Sequence, residues 1–290
     1  MKTQQRAYAY ALVAVAFWST VATAFKISLR LLTPAQLLLY SSAISTLCLI
    51  SAVLIQRKAA QLSLSRAGAL RSLATGFINP FFYYLILFKA YSLLPGQEAQ
   101  PLNFTWAIAM AVLSIPLLKQ KIRPMGFLAI LISFAGVYII STRGDIFSFR
   151  PTSSLGVSLA LVSSILWALY WIYNLRDPRD EVIKLFWGFL FGTLFILIYV
   201  LAAGEWVHPS SSALAGAAYI GLFEMGITFI VWLKALKLSR TTAQVSNLIF
   251  LAPFVSLVLL HFIAGEDIFP SSVVGLVLIV AGILLQRRYG

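Results

Sequence analysis

The chain has 290 residues, of which 60% are hydrophobic and 11% are charged, with a formal net charge of +13 and a mean hydropathy of +0.90. Soluble globular chains carry about 25% charged residues, so this composition excludes a soluble protein and predicts an integral membrane protein. In a soluble protein the positive charge would suggest nucleic acid as a partner. Here the basic residues of the loops account for the charge, and no nucleic acid is expected.

Residues that carry metal or nucleophilic chemistry are scarce. Cys48 is the single cysteine, which excludes an internal disulfide, and His208 and His261 are the only histidines. The sequence has no Cys/His cluster with zinc-ligand spacing, no phosphate-binding glycine loop, and no HExxH or GxSxG motif. We therefore expect no metal, no cofactor and no catalytic residue, and we do not expect an enzyme.

Ten apolar runs are candidates for crossing the membrane, because a helix needs about 20 residues to cross ~30 Å of hydrocarbon. The runs are Tyr8–Ile27, Pro34–Ile55, Leu70–Tyr91, Gln97–Leu118, Pro124–Ser141, Ser154–Asn174, Val182–Ala202, Ala213–Leu236, Thr241–Phe262 and Ser271–Gln286. We predict that all are helices, because a lipid-exposed open sheet would leave backbone groups without partners. The first run begins like a signal peptide, but the nine later spans favour a retained helix.

Lysine and arginine are distributed unevenly over the connecting segments. With the N-terminus in the cytoplasm, all but five of the 22 basic residues lie on inner segments. The five exceptions are Lys26, Arg30, Lys89, Arg143 and Arg150. The excess of positive charge on cytoplasmic segments predicts that both termini are cytoplasmic.

Two stretches of the chain share one template. Gly76 to Ala90 reads GFINPFFYYLILFKA, and Gly221 to Ala235, 145 residues later, reads GLFEMGITFIVWLKA. The offset is half the length of the chain, which indicates an internal repeat. Asn79 in the first copy corresponds to Glu224 in the second. Polar residues near the middle of a span are unfavourable in hydrocarbon, so their presence in both copies indicates a functional site.

Further short matches occur in the same order along both halves. Trp18 corresponds to Trp167, Ala99–Asn103 to Ala243–Asn247, and Phe134–Gly136 to Val280–Gly282. We therefore divide the chain into repeats at residues 1–148 and 149–290. Each repeat contains five spans, an odd number, so the second repeat crosses the membrane in the opposite orientation. Inverted repeats are typical of secondary transporters, in which two similar halves surround a central site.

These features resemble the drug/metabolite transporter superfamily, in particular its ten-helix EamA-type members. The resemblance lies in Trp-Ser and Trp-Ala in the first helix of each half, Pro253 in span 9, the pair Gly265-Glu266, and a glycine-bearing last helix. The first half departs from the family pattern, because Gln120 corresponds to Glu266. We interpret that loop acid as structural.

The resemblance implies an all-α integral membrane protein with ten transmembrane helices as two inverted five-helix repeats. It also implies a multi-pass protein of a bacterial-type inner (plasma) membrane that moves small organic metabolites, usually outward. Aromatic amino acid exporters of the YddG type are among the relatives of this family. The resemblance does not fix the substrate.

The candidate substrate-binding and coupling residues are polar groups near mid-depth and aromatic rings inside the spans that line the family's cavity: Glu224, Asn79, Trp18, Trp167, Tyr83, Thr228, Trp232, Asn103, Asn247 and Trp106. Helical spacing places Glu224, Thr228 and Trp232 on one face of span 8. For the asparagines, tying neighbouring helices together or capping a helix is the alternative role. For the aromatic rings, the alternative is packing against lipid or a neighbouring helix.

Other residues have simpler interpretations. Pro80 is predicted to kink span 3, because proline removes a backbone donor. Lys89 and Lys234 end their helices and are interpreted as anchors that extend toward the membrane surface. Asp177 and Asp180, with Glu181, are expected to form a solvated cluster in a cytoplasmic loop.

The leading hypothesis is a secondary transporter that exports amino acids or related metabolites by alternating access around a midplane cavity. The Glu224 carboxyl could couple transport to a proton or an ion. The alternative is a multidrug exporter of aromatic or cationic compounds, which ring stacking and cation–π contacts would favour. A polytopic enzyme or a scaffold is the non-transport alternative, but no cluster of catalytic residue types supports it. The expected partners are a small-molecule substrate and the lipid bilayer, and the sequence is compatible with a monomer or a dimer.

Cysteine labelling tests the predicted topology. In a variant in which Cys48 is replaced, cysteines introduced near Arg66 and Arg179 are expected to be protected from an impermeant thiol reagent added to intact cells, because these loops are cytoplasmic. A cysteine near His208 is expected to react. Labelling near Arg66 without labelling near His208 would show that the orientation is reversed.

Overall fold

The computed structural model describes residues 2–118, 124–145, 152–238, 248 and 251–289. These residues form helices joined by turns and loops, without a strand in the described ranges. The helices are α1 (Lys2–Ser28), α2 (Pro34–Ile55), α3 (Arg66–Gly76), α4 (Tyr83–Leu93), α5 (Gly96–Phe104), α6 (Trp106–Leu118), α7 (Pro124–Ser141), α8 (Ser154–Arg176), α9 (Glu181–Ala202), α10 (Ser211–Phe223), α11 (Ile227–Leu238), α12 (Ala252–Leu259) and α13 (Pro270–Tyr289). The prediction of an all-α fold is confirmed.

Six helical segments, two of which contain a break, are long and apolar enough to cross a membrane. Shorter apolar helices at Leu131–Ile140, Ala252–Ala264 and Pro270–Gly282 lie within the predicted spans 5, 9 and 10. Spans 3, 4 and 8 are each made of two helices, α3 with α4, α5 with α6, and α10 with α11. The start of the ninth predicted span, at residues 241–247, lies outside the described residues.

The packing of the helices follows the inverted repeat. Counterpart helices pack against each other, α2 against α9 and α7 against α13. Helix α1 packs against α11 and α12, just as α8 packs against α4, α5 and α6. Likewise α10 packs against α2, and α3 packs against α9. Contacts made by one half therefore recur in the other.

Below, the end of the bundle where α1 begins is called the terminal end, and the opposite end is called the distal end.

The glycine that begins each copy of the shared template is a packing residue. A Cβ atom on Gly76 would lie 2.4 Å from the carbonyl oxygen of Gly188 in α9. A Cβ atom on Gly221 would lie 2.5 Å from the carbonyl oxygen of Ser41 in α2. At both positions the backbones of two helices touch, which only glycine permits, as is common for small residues in membrane helix interfaces. The repeated glycine thus marks a repeated helix crossing.

The two template copies are also interrupted at corresponding places. Between α3 and α4, Asn79 has φ −149° and ψ 124°, outside the helical range, and Pro80 follows it. The predicted kink is present there, because proline has no N–H for the helical hydrogen bond. Between α10 and α11, residues 224–226 form a turn. The hydroxyl of Thr228 donates to the carbonyl of Phe223 and so satisfies a group at this break.

The acidic loop at the terminal end is more ordered than expected. Asp177 is buried and accepts hydrogen bonds from the Arg179 guanidinium at 3.0 and 2.5 Å. Asp180 forms an ion pair with Lys58 at 2.6 Å, which joins α2 to α9. Burial alone would raise the pKa of either carboxyl, but the hydrogen bonds from Arg179 and Lys58 outweigh it and hold each pKa below its ordinary value. The expectation of a solvated cluster is therefore wrong for Asp177, whereas Asp180 remains partly exposed in its ion pair.

Alanine substitutions test the helix crossings. Gly76→Ala and Gly221→Ala are each expected to lower the free energy of unfolding by roughly 1–3 kcal/mol, because the added methyl group would overlap a backbone carbonyl. Thermal unfolding of the purified protein in detergent measures the effect. Gly188→Ala is the matched control, because its Cβ atom would meet only the Thr75 hydroxyl at 3.4 Å. Equal melting temperatures for all three variants would contradict close backbone contact.

Candidate substrate-binding site

Glu224 lies in the break between α10 and α11 and is only 6% exposed. The hydroxyl of Tyr84 in α4 donates to its Oε1 atom at 2.9 Å. Trp18 in α1 lies beside the carboxyl group, but no donor in the described part of the chain has hydrogen-bond geometry toward Oε2. Because Tyr84 belongs to the first repeat and Glu224 to the second, this hydrogen bond crosses the interface between the repeats.

Asn79 lies at the corresponding break of the first repeat and is fully buried. Neither its Oδ1 nor its Nδ2 atom has a hydrogen-bond partner among the residues that the structure describes. A buried polar group without a partner costs about 1–3 kcal/mol. At the two breaks, the Asn79 amide and the Glu224 Oε2 atom therefore have no hydrogen-bond partner among the described residues.

Aromatic rings from both repeats pack close to Glu224. We call this group the aromatic cluster, and it comprises Trp18, Tyr83, Tyr84, Trp167, Phe229 and Trp232. Trp167 stacks on Tyr83 with ring centroids 4.7 Å apart and meets Phe229 at 5.6 Å. Trp18 meets Trp232 at 5.3 Å and Phe229 at 6.4 Å. The corresponding tryptophans of the two repeats therefore contact one shared ring, that of Phe229.

Asn103 connects the aromatic cluster to a neighbouring helix. Its side-chain amide donates to the Ser163 hydroxyl of α8 at 2.9 Å, and its Oδ1 atom accepts from the Tyr83 hydroxyl at 3.3 Å. The asparagine thus ties α5 to α8 and orients Tyr83. Trp106 begins α6 and packs, half-buried, against the core.

The remaining predicted residues have different placements. Thr228 is fully buried, and its hydroxyl proton is donated to the backbone at the α10–α11 break. Asn247 lies outside the described residues. Lys89 is exposed, and the exposed Lys234 lies 5.9 Å from the ring centroid of Tyr10.

Three residues of this region were not predicted. Tyr84 and Phe229 belong to the aromatic cluster, but each directly follows a predicted residue and so lies about 100° further round the helix than the predicted face. Glu98 lies in the fourth predicted span and is fully buried. Its position inside an apolar run was the available signal.

In the described ranges, His, Cys, Asp and Glu side chains do not gather in a group of three that could hold a metal ion.

Comparison with known proteins places this arrangement in a family. The model of the EamA-like transporter family matches residues 5–142 and, a second time, residues 154–287. The chain belongs to the EamA-like transporter family. Because this family has a ten-helix membrane fold, the predicted fold class, ten transmembrane helices as two inverted five-helix repeats, is confirmed. This EamA-like protein is accordingly a multi-pass membrane protein, and its family moves molecules across membranes.

Individual relatives agree with this assignment. An uncharacterized transporter of Clostridium kluyveri is 28% identical over 192 residues, which are 61% of this chain and 60% of that protein. An aromatic amino acid exporter, YddG, of Ancylobacter novellus is 28% identical over 219 residues, which are 72% of this chain and 74% of the exporter. A solved crystal structure has the same fold, with a TM-score of 0.69 and 22% identity over 96% of this chain and 95% of its own.

Substitution of the corresponding tryptophans tests whether the aromatic cluster binds substrate. Trp18→Ala and Trp167→Ala are each expected to weaken binding of L-tryptophan by roughly 1–3 kcal/mol, the range for lost stacking on an aromatic ring. Calorimetric titration of variants that retain a cooperative melting transition measures the change. Trp187→Ala, outside the cluster, is expected to leave the affinity unchanged. Small and equal effects in all three would identify the tryptophans as packing residues.

Proposed function

We propose that this EamA-like protein is a secondary transporter that exports small organic metabolites, amino acids or related compounds, by alternating access around the midplane. The observation that carries the proposal is the environment of Glu224. Its carboxylate lies at a helix break, bonds to Tyr84 of the other repeat at 2.9 Å, and keeps its Oε2 atom unpaired among the described residues. Unlike Glu98, which is paired with Arg143, Glu224 forms no ion pair with a basic residue in the described part of the chain.

The carboxylate provides a means of coupling. An ionised carboxylate away from water needs a compensating charge, and either a proton or a substrate ammonium group supplies it. If both compete for Glu224, binding of one releases the other, and one proton is exchanged for one substrate per cycle. The Tyr84–Glu224 bond spans the two repeats, so a movement of one repeat against the other alters the carboxylate's partners. Asn79 cannot titrate and would remain a polar contact of constant charge.

The aromatic cluster indicates which kinds of substrate the site can bind. Rings stack on planar groups and attract cations through their faces. The named activity of the Ancylobacter novellus relative makes aromatic amino acids the first compounds to test. The cluster also favours a second candidate function, export of diverse aromatic or cationic compounds. A narrow substrate range would support the metabolite exporter, whereas transport of unrelated quaternary cations would support the multidrug exporter.

The setting of the transporter follows from its basic loops. We place it in a bacterial-type inner (plasma) membrane with both termini in the cytoplasm, so that the terminal end faces inward and the distal end outward. The repeats at residues 1–148 and 149–290 are the two halves that move against each other. The substrate and the bilayer are its partners, and one copy contains a complete set of ten spans.

Replacement of the carboxylate tests the coupling. Glu224→Gln keeps the size and most hydrogen-bonding capacity of the side chain but removes its charge. It is expected to bind neutral compounds, to bind cationic aromatic amines more weakly, and to lose accumulation driven by a pH gradient. Uptake of labelled L-tryptophan and of labelled tryptamine into proteoliposomes with an imposed pH gradient measures the effect.

Glu205→Gln is the matched control, since it removes the same charge at the distal end, where Glu205 bonds to Thr33 at 2.7 Å. It is expected to transport like the parent. If Glu224→Gln also transports like the parent at every pH, Glu224 is a packing group and coupling occurs elsewhere.

A further inference from the structure

Helix α5 lies at the centre of the distal end. It packs against α1, α4, α7, α8, α12 and α13, and all its residues from Gly96 to Asn103 are buried, although four of these eight side chains are polar or charged. Gly96 is enclosed so closely that an added Cβ atom would lie 2.7 Å from Leu260. The candidate substrate site begins two turns further along the helix, at Asn103. The start of α5 therefore separates that site from the distal surface.

One ion pair with a buried carboxylate holds the start of α5 to its neighbours. Glu98 is fully buried, and its Oε1 atom accepts from Arg143 Nε, just beyond the end of α7, at 2.9 Å. The same oxygen accepts from the Thr152 hydroxyl, just before α8, at 3.0 Å. Arg143 also lies over the Phe269 ring, 4.7 Å from its centroid. This ion pair thus joins α5 to the ends of three neighbouring spans.

A second carboxylate holds α5 from the other repeat. Glu266, in the loop before α13, accepts from the backbone N–H of Gly96 at 2.9 Å and of Gln97 at 3.3 Å. Lys26 approaches Glu266 to 3.7 Å and donates to the carbonyls of Tyr91 and Leu94, at the end of α4. Glu266 therefore caps α5 across the interface between the repeats. Lys26, Gln97 and Glu266 also border a distal cavity of about 340 Å³.

The sequence does not repeat this chemistry at the other end of the bundle. Glu98 corresponds to Thr242 in the alignment that pairs Ala99 with Ala243, and Gln120 corresponds to Glu266 in the alignment that pairs Phe134 with Val280. Both acids that hold α5 are thus neutral residues in the corresponding positions of the opposite repeat. An inverted repeat would otherwise give both ends the same contacts.

We propose that Glu98, Arg143, Glu266 and Lys26, together called the distal seal, form the barrier that closes the transport path at the distal end, and that the opposite repeat, with Thr242 and Gln120 in the corresponding positions, does not form the same seal at the terminal end. Opening to the distal side then requires separation of Arg143 from the buried Glu98 carboxylate and loss of a helix cap across the repeats. The opposite repeat has no acid in the corresponding positions to form either contact at the terminal end. In the absence of substrate, the protein therefore rests with the distal end closed. This inference rests on the proposed alternating access, but not on the substrate.

Accessibility of a buried cysteine tests the distal seal. Ser163→Cys, in a Cys48→Ser background, places a thiol at a fully buried position beside Asn103. In proteoliposomes an impermeant thiol reagent is applied from the distal side or from the terminal side. Glu98→Gln, Glu266→Gln and Arg143→Gln are each expected to raise the labelling rate from the distal side by roughly ten-fold, as for a lost hydrogen bond to a charged group. Labelling from the terminal side is expected to fall.

Two comparisons separate a gate from a merely structural role. Glu98→Gln combined with Arg143→Gln is expected to match the single variants, because both remove the same ion pair. Asp267→Asn, which neutralises the exposed acid next to Glu266, is expected to leave both rates unchanged. Faster labelling from both sides would indicate loosened packing and would overturn the proposal, as would unchanged rates in all three single variants.

The same experiment distinguishes failure of the seal from failure of the proposed function. If the parent labels from one side and transports, but the seal variants behave like the parent, only the seal is wrong. If the parent cysteine does not change accessibility when L-tryptophan or tryptamine is added, and neither compound is transported, alternating access at this site is wrong. Should Glu98→Gln fail to fold, Glu266→Gln and Arg143→Gln give the same test.

Discussion

The structure depends on one constraint, that a polar group away from water must find its partners inside the protein. Most of the chain meets this constraint with helical hydrogen bonds and with short side-chain contacts such as that between Asn103 and Ser163. Glu224 and Asn79 are exceptions at the two helix breaks. Each has a buried side-chain atom without a hydrogen-bond partner among the described residues. Other buried side chains, such as those of Ser41 and Ser72, also have an unpaired atom, but Glu224 and Asn79 occupy corresponding positions of the two repeats, and the proposal of a transport site rests on that correspondence.

Charged groups are arranged differently in the middle of the bundle and at its two ends. The midplane contains a single carboxylate among aromatic rings, whereas both ends are held by paired charges, Lys58 with Asp180 at the terminal end and Glu98 with Arg143 at the distal end. Exposed ion pairs contribute little to stability. A fully buried carboxylate such as Glu98 differs, because separating it from its partner leaves a charge without compensation. Charge pairs at the ends of the bundle therefore bear on its conformations more than on its stability.

Much of the fold could be predicted from the sequence, because hydropathy and the repeat follow from the order of residues. The Pro80 kink was predictable for the same reason, whereas Lys89, expected to end its helix, lies four residues before the end of α4. The second break, at Glu224, was not, since no proline marks it. The aromatic cluster was predicted only in part: helical spacing assigned Tyr83 to the inner face, but the broken helix also turns Tyr84 inward. The order of residues also gave no sign that Asp177 is buried, because that depends on Arg179 folding back onto it.

The paired glycine crossings have a consequence for motion. Gly76 fixes α3 to α9, and Gly221 fixes α10 to α2, each three residues before a break. Beyond the breaks, α4 packs against α8 and α11 against α1. Each interrupted span therefore belongs to two different packing groups, one on each side of its break. A displacement between these groups would be accommodated where helical hydrogen bonding is already interrupted, and it would change the surroundings of Asn79 and Glu224.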